Sequence, residues 1–272
     1  MQNTVIQLLK KHGITAVASV ALADTKIVRP YLLEKAGIAT GTAFLFAVPY
    51  YTTFCEVSAR NISAYAVSPD YHAFFASLFE EILPALKSAF PAHRFAGFTD
   101  HSPLAEVDAA VRAGLGVRGD NGLLLTEAYG SYQFIGEIIT DMEVPATPTE
   151  LKECLHCGRC RRACPASEAT PCLSALTQKK GALDEKEKAL LLEYRTAWGC
   201  DLCQTVCPYN ERAKRAGTIY TAIPFFKERP LPHLTADAVR AMSEEEFKAR
   251  AFSWRGKETI LRNLTLLEKG EG

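Results

Sequence analysis

Nine cysteines stand in the 272 residues, and eight of them lie between Cys154 and Cys207. Cys154, Cys157, Cys160 and Cys164 follow the spacing C-x2-C-x2-C-x3-C, closed by Pro165. Thiolates at two-residue gaps wrap three corners of an iron–sulfur cubane, and a fourth ahead of a proline turns to a second cluster. Cys172, Cys200, Cys203 and Cys207 repeat the pattern with a long insertion after the first, and Pro208 follows the last. The exchange rule assigns Cys154, Cys157, Cys160 and Cys207 to one [4Fe–4S] cluster, and Cys172, Cys200, Cys203 and Cys164 to another. Zinc also takes C-x2-C pairs, but a tetrahedral site does not need the whole run. A disulfide framework would need an oxidising compartment. Cys55 is left over and reads as a small buried hydrophobe. His156 sits inside the cluster loop and reads as packing or tuning, since the ligand count is complete without it.

Composition narrows the class. Basic and acidic residues balance at 31 each, with 48% hydrophobic and 23% charged residues. These values exclude a disordered chain, a collagen-like chain and a strongly basic nucleic-acid binder. The uncharged stretch 36–55 is interrupted by Gly37, Gly41 and Pro49, so its apolar heart at 43–48 reads as a buried strand, not a membrane span. Lys10 and Lys11 follow the first apolar residues, the reverse of a signal peptide. The expectation is a cytoplasmic protein that does not enter a membrane, with its thiols reduced.

The elements that must position the cysteines divide the chain. Helices are expected at 4–12, at Pro30–Ala36 with Gly37 beyond its end, from Ser68-Pro69-Asp70 toward residue 89, and from Ser102-Pro103 to Gly114. Strands are expected at 14–22, at 43–48 and at Phe95–Phe98, with a hairpin joining 123–126 to 134–140. Residues 143–148 read as a linker. Ser243 and Glu246 match a capping box, and a last helix spans 257–267. The expected fold is α+β. A mixed-sheet first domain over 1–145 is followed by a ferredoxin-like double-cluster domain over 146–222 and a C-terminal helical segment over 223–272.

Two clusters alone make an electron wire, so the preceding residues must hold a substrate or another cofactor. Those residues resemble the epoxyqueuosine reductase family, which is cobalamin-dependent and carries two [4Fe–4S] clusters. Asp70-Tyr71-His72 matches the family's D-Y-H at a helix start, and Phe98 to Pro103, with Asp100, is similar to its (F/V)-x-D-x-x-P segment. Arg112 to Gly116, followed by Gly119 and Asn121, resembles a family glycine loop, although Val117 and Asp120 replace its usual tryptophan and lysine. Phe134, Gly136 and Glu137 resemble an F-x-G-E-L strand. Trp198 to Gln204, Cys207 to Asn210, and Leu261-Arg262-Asn263 complete the set. The resemblance is to a short member without the helical-repeat extension of the longer ones.

The resemblance implies a reduced corrinoid that removes the epoxide oxygen of a modified tRNA base. It implies Asp100 as general acid, with burial keeping its proton in place. Tyr71 and His72 would position substrate or relay protons, and Gly116, Arg118, Asn121 and Gly122 would contact the cofactor. A small electron-donor protein of ferredoxin or flavodoxin type would be a partner. Basic residues cluster at Lys152, Arg159, Arg161 and Arg162, and at Arg212, Lys214 and Arg215. They suit a tRNA backbone, an acidic donor or a solvated face. The same chemistry on another small epoxide or halogenated compound is an alternative, as is a non-catalytic electron-transfer or corrinoid-reactivating protein.

Overall fold

The structure, a computed structural model, describes residues 1–146, 152–166 and 171–270. Residues 147 and 148 of the expected linker lie outside the described residues. The chain forms two compact units. The first gathers residues 1–50, 74–158 and 208–223, and the second residues 51–73, 159–207 and 224–272.

The first unit is built on a four-stranded sheet of β1 (Val17–Ala21), β2 (Thr42–Pro49), β3 (Phe95–Phe98) and β6 (Gln133–Thr140), in the order β1-β2-β6-β3. All eight residues of β2 are buried, because both of its faces are covered. Side chains alternate across a strand, so Ala43 and Leu45 join a core with Leu33, Leu104, Ala109, Ala110 and Ile139. On the opposite face Phe46 meets Phe75, their ring centroids 6.2 Å apart. Phe75 belongs to the long helix Tyr71–Ala89.

Three expectations are corrected here. The fold is α+β, but every pairing in the sheet is antiparallel, so the sheet is not mixed. The connection from β1 to β2 returns the chain to the end it left instead of crossing over. The expected hairpin does not form. Leu124–Leu125 (β5) turns back on Val117–Arg118 (β4), while β6 is taken between β2 and β3. A two-sided, apolar slot in the main sheet outcompetes one local partner, and only an isolated bridge joins Thr126 to Gly130. Finally, the long helix begins at Tyr71, later than Ser68-Pro69. Ser68 Oγ donates to the Phe226 carbonyl, and Asp70 Oδ1 instead accepts the His72 N–H at 3.0 Å, which caps the helix.

The second unit is made of short helices, among them Leu173–Thr177, Glu185–Tyr194 and Lys257–Lys269. Leu173, Leu176, Leu183 and Leu191 form one core cluster. The expected capping box at Ser243 and Glu246 is present, and Asp184 with Glu187 forms another. Cys55 is buried, and its thiol lies 3.7 Å from the Ala64 carbonyl. Among the described residues no helix is long and apolar enough to cross a membrane.

Gly136 faces Phe46 across the β2–β6 pair. A Cβ there would stand 2.3 Å from the Phe46 ring. Gly136→Val is therefore expected to destabilise the protein by about 1–3 kcal/mol, read as a lower unfolding midpoint. An unchanged midpoint would show that the aromatic layer yields.

Candidate functional site

The expected ligands Cys164, Cys172, Cys200 and Cys203 all lie in the second unit, with Cys160 and Cys207. Cys164 and Cys172 are close enough to Cys200 to act on its charge. Burial, with Asp201, Cys172 and Cys164 adding to it, pushes the Cys200 thiol up to about 11. A thiolate disfavoured by burial and like charges is stabilised by a bound cation, which fits iron at this donor set.

The loop carrying Cys200 and Cys203 is held by one carboxylate. Asp201 Oδ1 accepts hydrogen bonds from Ser63 Oγ at 2.6 Å and Gln204 Nε2 at 2.9 Å. Its Oδ2 accepts from Ala64 N–H and Arg60 Nη1, both at 2.7 Å. Trp198 is wholly buried and donates from Nε1 to Tyr65 Oη at 2.8 Å. Asn263 Nδ2 donates to the carbonyls of Thr177 and Ala197, so one amide grips the chain after Cys172 and the chain before Cys200. The non-cysteine members of the motifs thus hold ligand loops.

Cys154 and Cys157 belong to the first unit. His156 Nδ1 lies 2.9 Å from Asp120 Oδ1, and these two with Cys154 place ligand-type atoms within 4.8 Å of one another. The Cys207-Pro208-Tyr209-Asn210 segment continues into the helix Pro208–Arg215. Asn210 Oδ1 accepts the Ser131 N–H at 2.6 Å. Gly130 has φ +59, and a Cβ on it would strike Asn210 Oδ1 at 1.8 Å, so glycine is required for this contact.

Asp100 lies in the first unit on the loop after β3, with φ +62. It is exposed, so burial does not keep a proton on it as the resemblance implied. Two less exposed acids stand beside its loop. Glu106 Oε1 accepts the Asp100 N–H at 2.8 Å. Glu137 is wholly buried on β6 between its cross-strand partners Leu45 and Phe98. Its Oε2 accepts from Ser102 Oγ at 2.5 Å, while Oε1 has no hydrogen-bond partner among the described residues. Burial, and then the charge of Asp100, push the Glu106 carboxyl up to about 7. Burial pushes Glu137 up to about 8, with Glu106 adding to the effect against the Ser102 hydrogen bond.

The remaining expected residues are placed as follows. Tyr71 and His72 lie in the second unit, their rings stacked at 4.2 Å, with Tyr71 buried and His72 exposed. His72 Nδ1 meets Asp70 Oδ1 at 2.8 Å. Gly116 and Arg118 lead into the turn that joins β4 to β5, and Arg118 is exposed. Gly119 N–H donates to the Leu123 carbonyl and closes that turn. Asn121 Nδ2 is buried without a partner among the described residues, and beside it a Cβ on Gly122, at φ +81, would meet open space.

Glu106 and Glu137 were missed as site residues. A readable signal existed for Glu137: a carboxylate inside an apolar strand is costly unless it is neutral or paired. Between about 4.5 and 8 the folded chain holds a proton on Glu137 that the unfolded chain releases. Stability is then greatest below this window and falls as pH rises through it, by up to about 1.4 kcal/mol per pH unit for one group. Thermal midpoints of wild type should fall between pH 6 and pH 8, and Glu137→Gln should reduce that fall. An equal fall in both proteins would contradict the assignment.

Residues 151–167 and 195–210 match the model of a 4Fe-4S binding domain. The epoxyqueuosine reductase of Gloeobacter violaceus is 34% identical over 198 residues, which cover 69% of this chain and 61% of that protein. The chain thus spans less than two thirds of that relative's length. A crystal structure of epoxyqueuosine reductase with an epoxyqueuosine-modified tRNA stem loop is 26% identical, with a TM-score of 0.76 over 98% of this chain and 80% of that one. A Bacillus subtilis epoxyqueuosine reductase, with its catalytic aspartate loop swung out of the active site, is similar to the same degree. Sequence, fold and the iron–sulfur ligand pattern are thus each similar to those of epoxyqueuosine reductases.

Proposed function

We propose that the chain reduces epoxyqueuosine in tRNA to queuosine, using two [4Fe–4S] clusters and cobalamin, in the cytoplasm. The observation that carries this reading is the likeness, along nearly the whole chain, to an epoxyqueuosine reductase structure that holds an epoxyqueuosine-modified tRNA stem loop. The cysteine sets described above would hold the clusters, and a small donor protein of ferredoxin or flavodoxin type would fill them with electrons.

The loop at Gly116, Arg118, Asn121 and Gly122 fits a large ligand rich in acceptor atoms. The Asn121 amide, unpartnered among the described residues, offers a donor, and the space beside Gly122 admits bulk. When bound, a reduced corrinoid supplies a strong nucleophile for the epoxide. The chain's own part is to place the substrate and provide protons. Opening the epoxide to an alkene consumes two electrons and two protons, and the oxygen leaves as water. Asp100, exposed on its loop, donates a proton to that oxygen. The catalytic aspartate loop of the Bacillus relative, swung out of the active site in that structure, supports this role. Tyr71 and His72 hold the base or relay protons. The exposed Arg212 and Lys214 on the helix Pro208–Arg215 suit RNA phosphates.

Anaerobically purified protein should carry about eight iron and eight sulfide per chain, and Cys200→Ser should lose about half of each. A zinc-only result would overturn the cluster reading. With cobalamin and strong reductant, wild type should convert an epoxyqueuosine stem loop to queuosine, and more efficiently than it converts the free nucleoside. Asp100→Ala should abolish conversion with iron content unchanged. Full activity in that variant would remove Asp100 as the acid, and equal activity on the free nucleoside would argue against tRNA as the substrate.

A further inference from the structure

The loop of Asp100 is built around acids and very few counter-charges. Thr99 Oγ1 donates to the Ile135 carbonyl at 2.9 Å, which pins the end of β3 to β6. The chain then takes the left-handed backbone at Asp100, uncommon for a residue with a Cβ. The Asp100 N–H in that conformation is received by Glu106 Oε1. Ser102 Oγ accepts the Leu104 N–H at 2.9 Å and donates to Glu137. One short loop therefore contacts both acids, half-buried Glu106 through its backbone and buried Glu137 through a hydroxyl.

Charged and titratable groups near this layer are few. Arg29 acts on Glu106 from the segment before the helix Pro30–Ala36, and its Nη1 donates to the Ser102 carbonyl at 2.9 Å. Tyr31 Oη and His101 Nε2 meet at 2.7 Å on the exposed side. Asp108 and Arg112 pair with each other on the helix Glu106–Arg112. Among the described residues Glu137 receives a single hydrogen bond, from a hydroxyl, and no cation, and its second oxygen has no partner. Such a site favours the neutral acid over the anion.

We propose that Glu106 is the positioning residue for Asp100, and that Glu106 and Glu137 together form a proton store behind it, supplying the second proton of the reduction. This rests on the reductase reading above. The balance is explicit. Two electrons from the donor and two protons convert the epoxide to an alkene and water. Asp100 gives the first proton to the departing oxygen. Glu106 then returns a proton to the Asp100 carboxylate, which gives it to the same oxygen, and Glu137 refills Glu106. An exposed acid can be refilled from water only while uncovered, and a substrate seated on Asp100 closes that route. Burial favours the protonated form of both carboxyls.

The test joins a readout without substrate to a kinetic one. Infrared titration of the cluster-loaded protein, with no substrate present, should show a protonated-carboxyl band persisting at pH 7. Glu137→Gln and Glu106→Gln should each remove part of it. Glu106→Gln keeps an acceptor for the Asp100 N–H but carries no proton. With the stem loop, it should slow single-turnover reduction by about tenfold or more, with substrate affinity within about twofold of wild type. Glu106→Ala should lose affinity as well, because positioning is lost. A wild-type band absent at pH 7, or one unmoved by both variants, overturns the store. An unchanged rate and pH profile in Glu106→Gln overturns its proton role. Glu106 is only half-buried, so this variant carries the test even where Glu137→Gln does not fold. A wild type that reduces no epoxyqueuosine at any pH defeats the reductase reading instead, and the infrared titration still decides whether the store exists.

Discussion

An iron–sulfur cluster brings no scaffold, so the loops that ligate it must be fixed by other groups. In the second unit that work falls to the Asp201 carboxylate. Both oxygens are used twice, by Arg60, Ser63, Ala64 and Gln204. Removing any partner would leave a buried charge short of a donor, which costs more than an ordinary hydrogen bond is worth. The demand spreads outward. Gly199, at φ +69, must lack a Cβ because Ser63 would stand 2.5 Å from it. Trp198 and Asn263 then close the same loop from two further segments. The residues between and around the cysteines are as constrained as the cysteines themselves.

The first unit handles its buried carboxyl differently. Asp201 faces a guanidinium and three other donors. Glu137 faces one hydroxyl, and apolar neighbours cross-strand on either side. Holding a charge needs the first environment, and holding a proton needs the second. The antiparallel sheet makes the second environment possible. It buries β6 between β2 and β3, so a side chain at the Glu137 position cannot reach water. The Asp100 loop is attached to that layer through Glu106 and Ser102, so the exposed acid and the two less exposed ones belong to one structure.

Sequence made the cysteine pattern legible because thiolate spacing is set by the cluster and needs no tertiary context. It also gave helix Pro30–Ala36 with Gly37 in the left-handed backbone, and strand Phe95–Phe98, as found. Local signals failed where long-range pairing decided. The turn residues at 128–131 suggested a hairpin, but β6 found two better partners in the main sheet. Ser68 and Ser102 both looked like helix caps. Each instead spends its hydroxyl on a distant segment, the Phe226 carbonyl and the Glu137 carboxyl. Asp100 was recognisable from its motif, but its exposure was not. Glu106 and Glu137 acquire meaning only when strand register and loop geometry bring them behind it.

The central claim is that electrons gathered by the cysteine loops end in removal of an epoxide oxygen. The most direct measurement titrates the anaerobic, cobalamin-loaded protein with limiting reductant in the presence of an epoxyqueuosine stem loop, and counts product by nucleoside mass spectrometry. The account predicts one queuosine for every two electrons beyond those that fill the clusters. Electrons consumed with no alkene formed would contradict it.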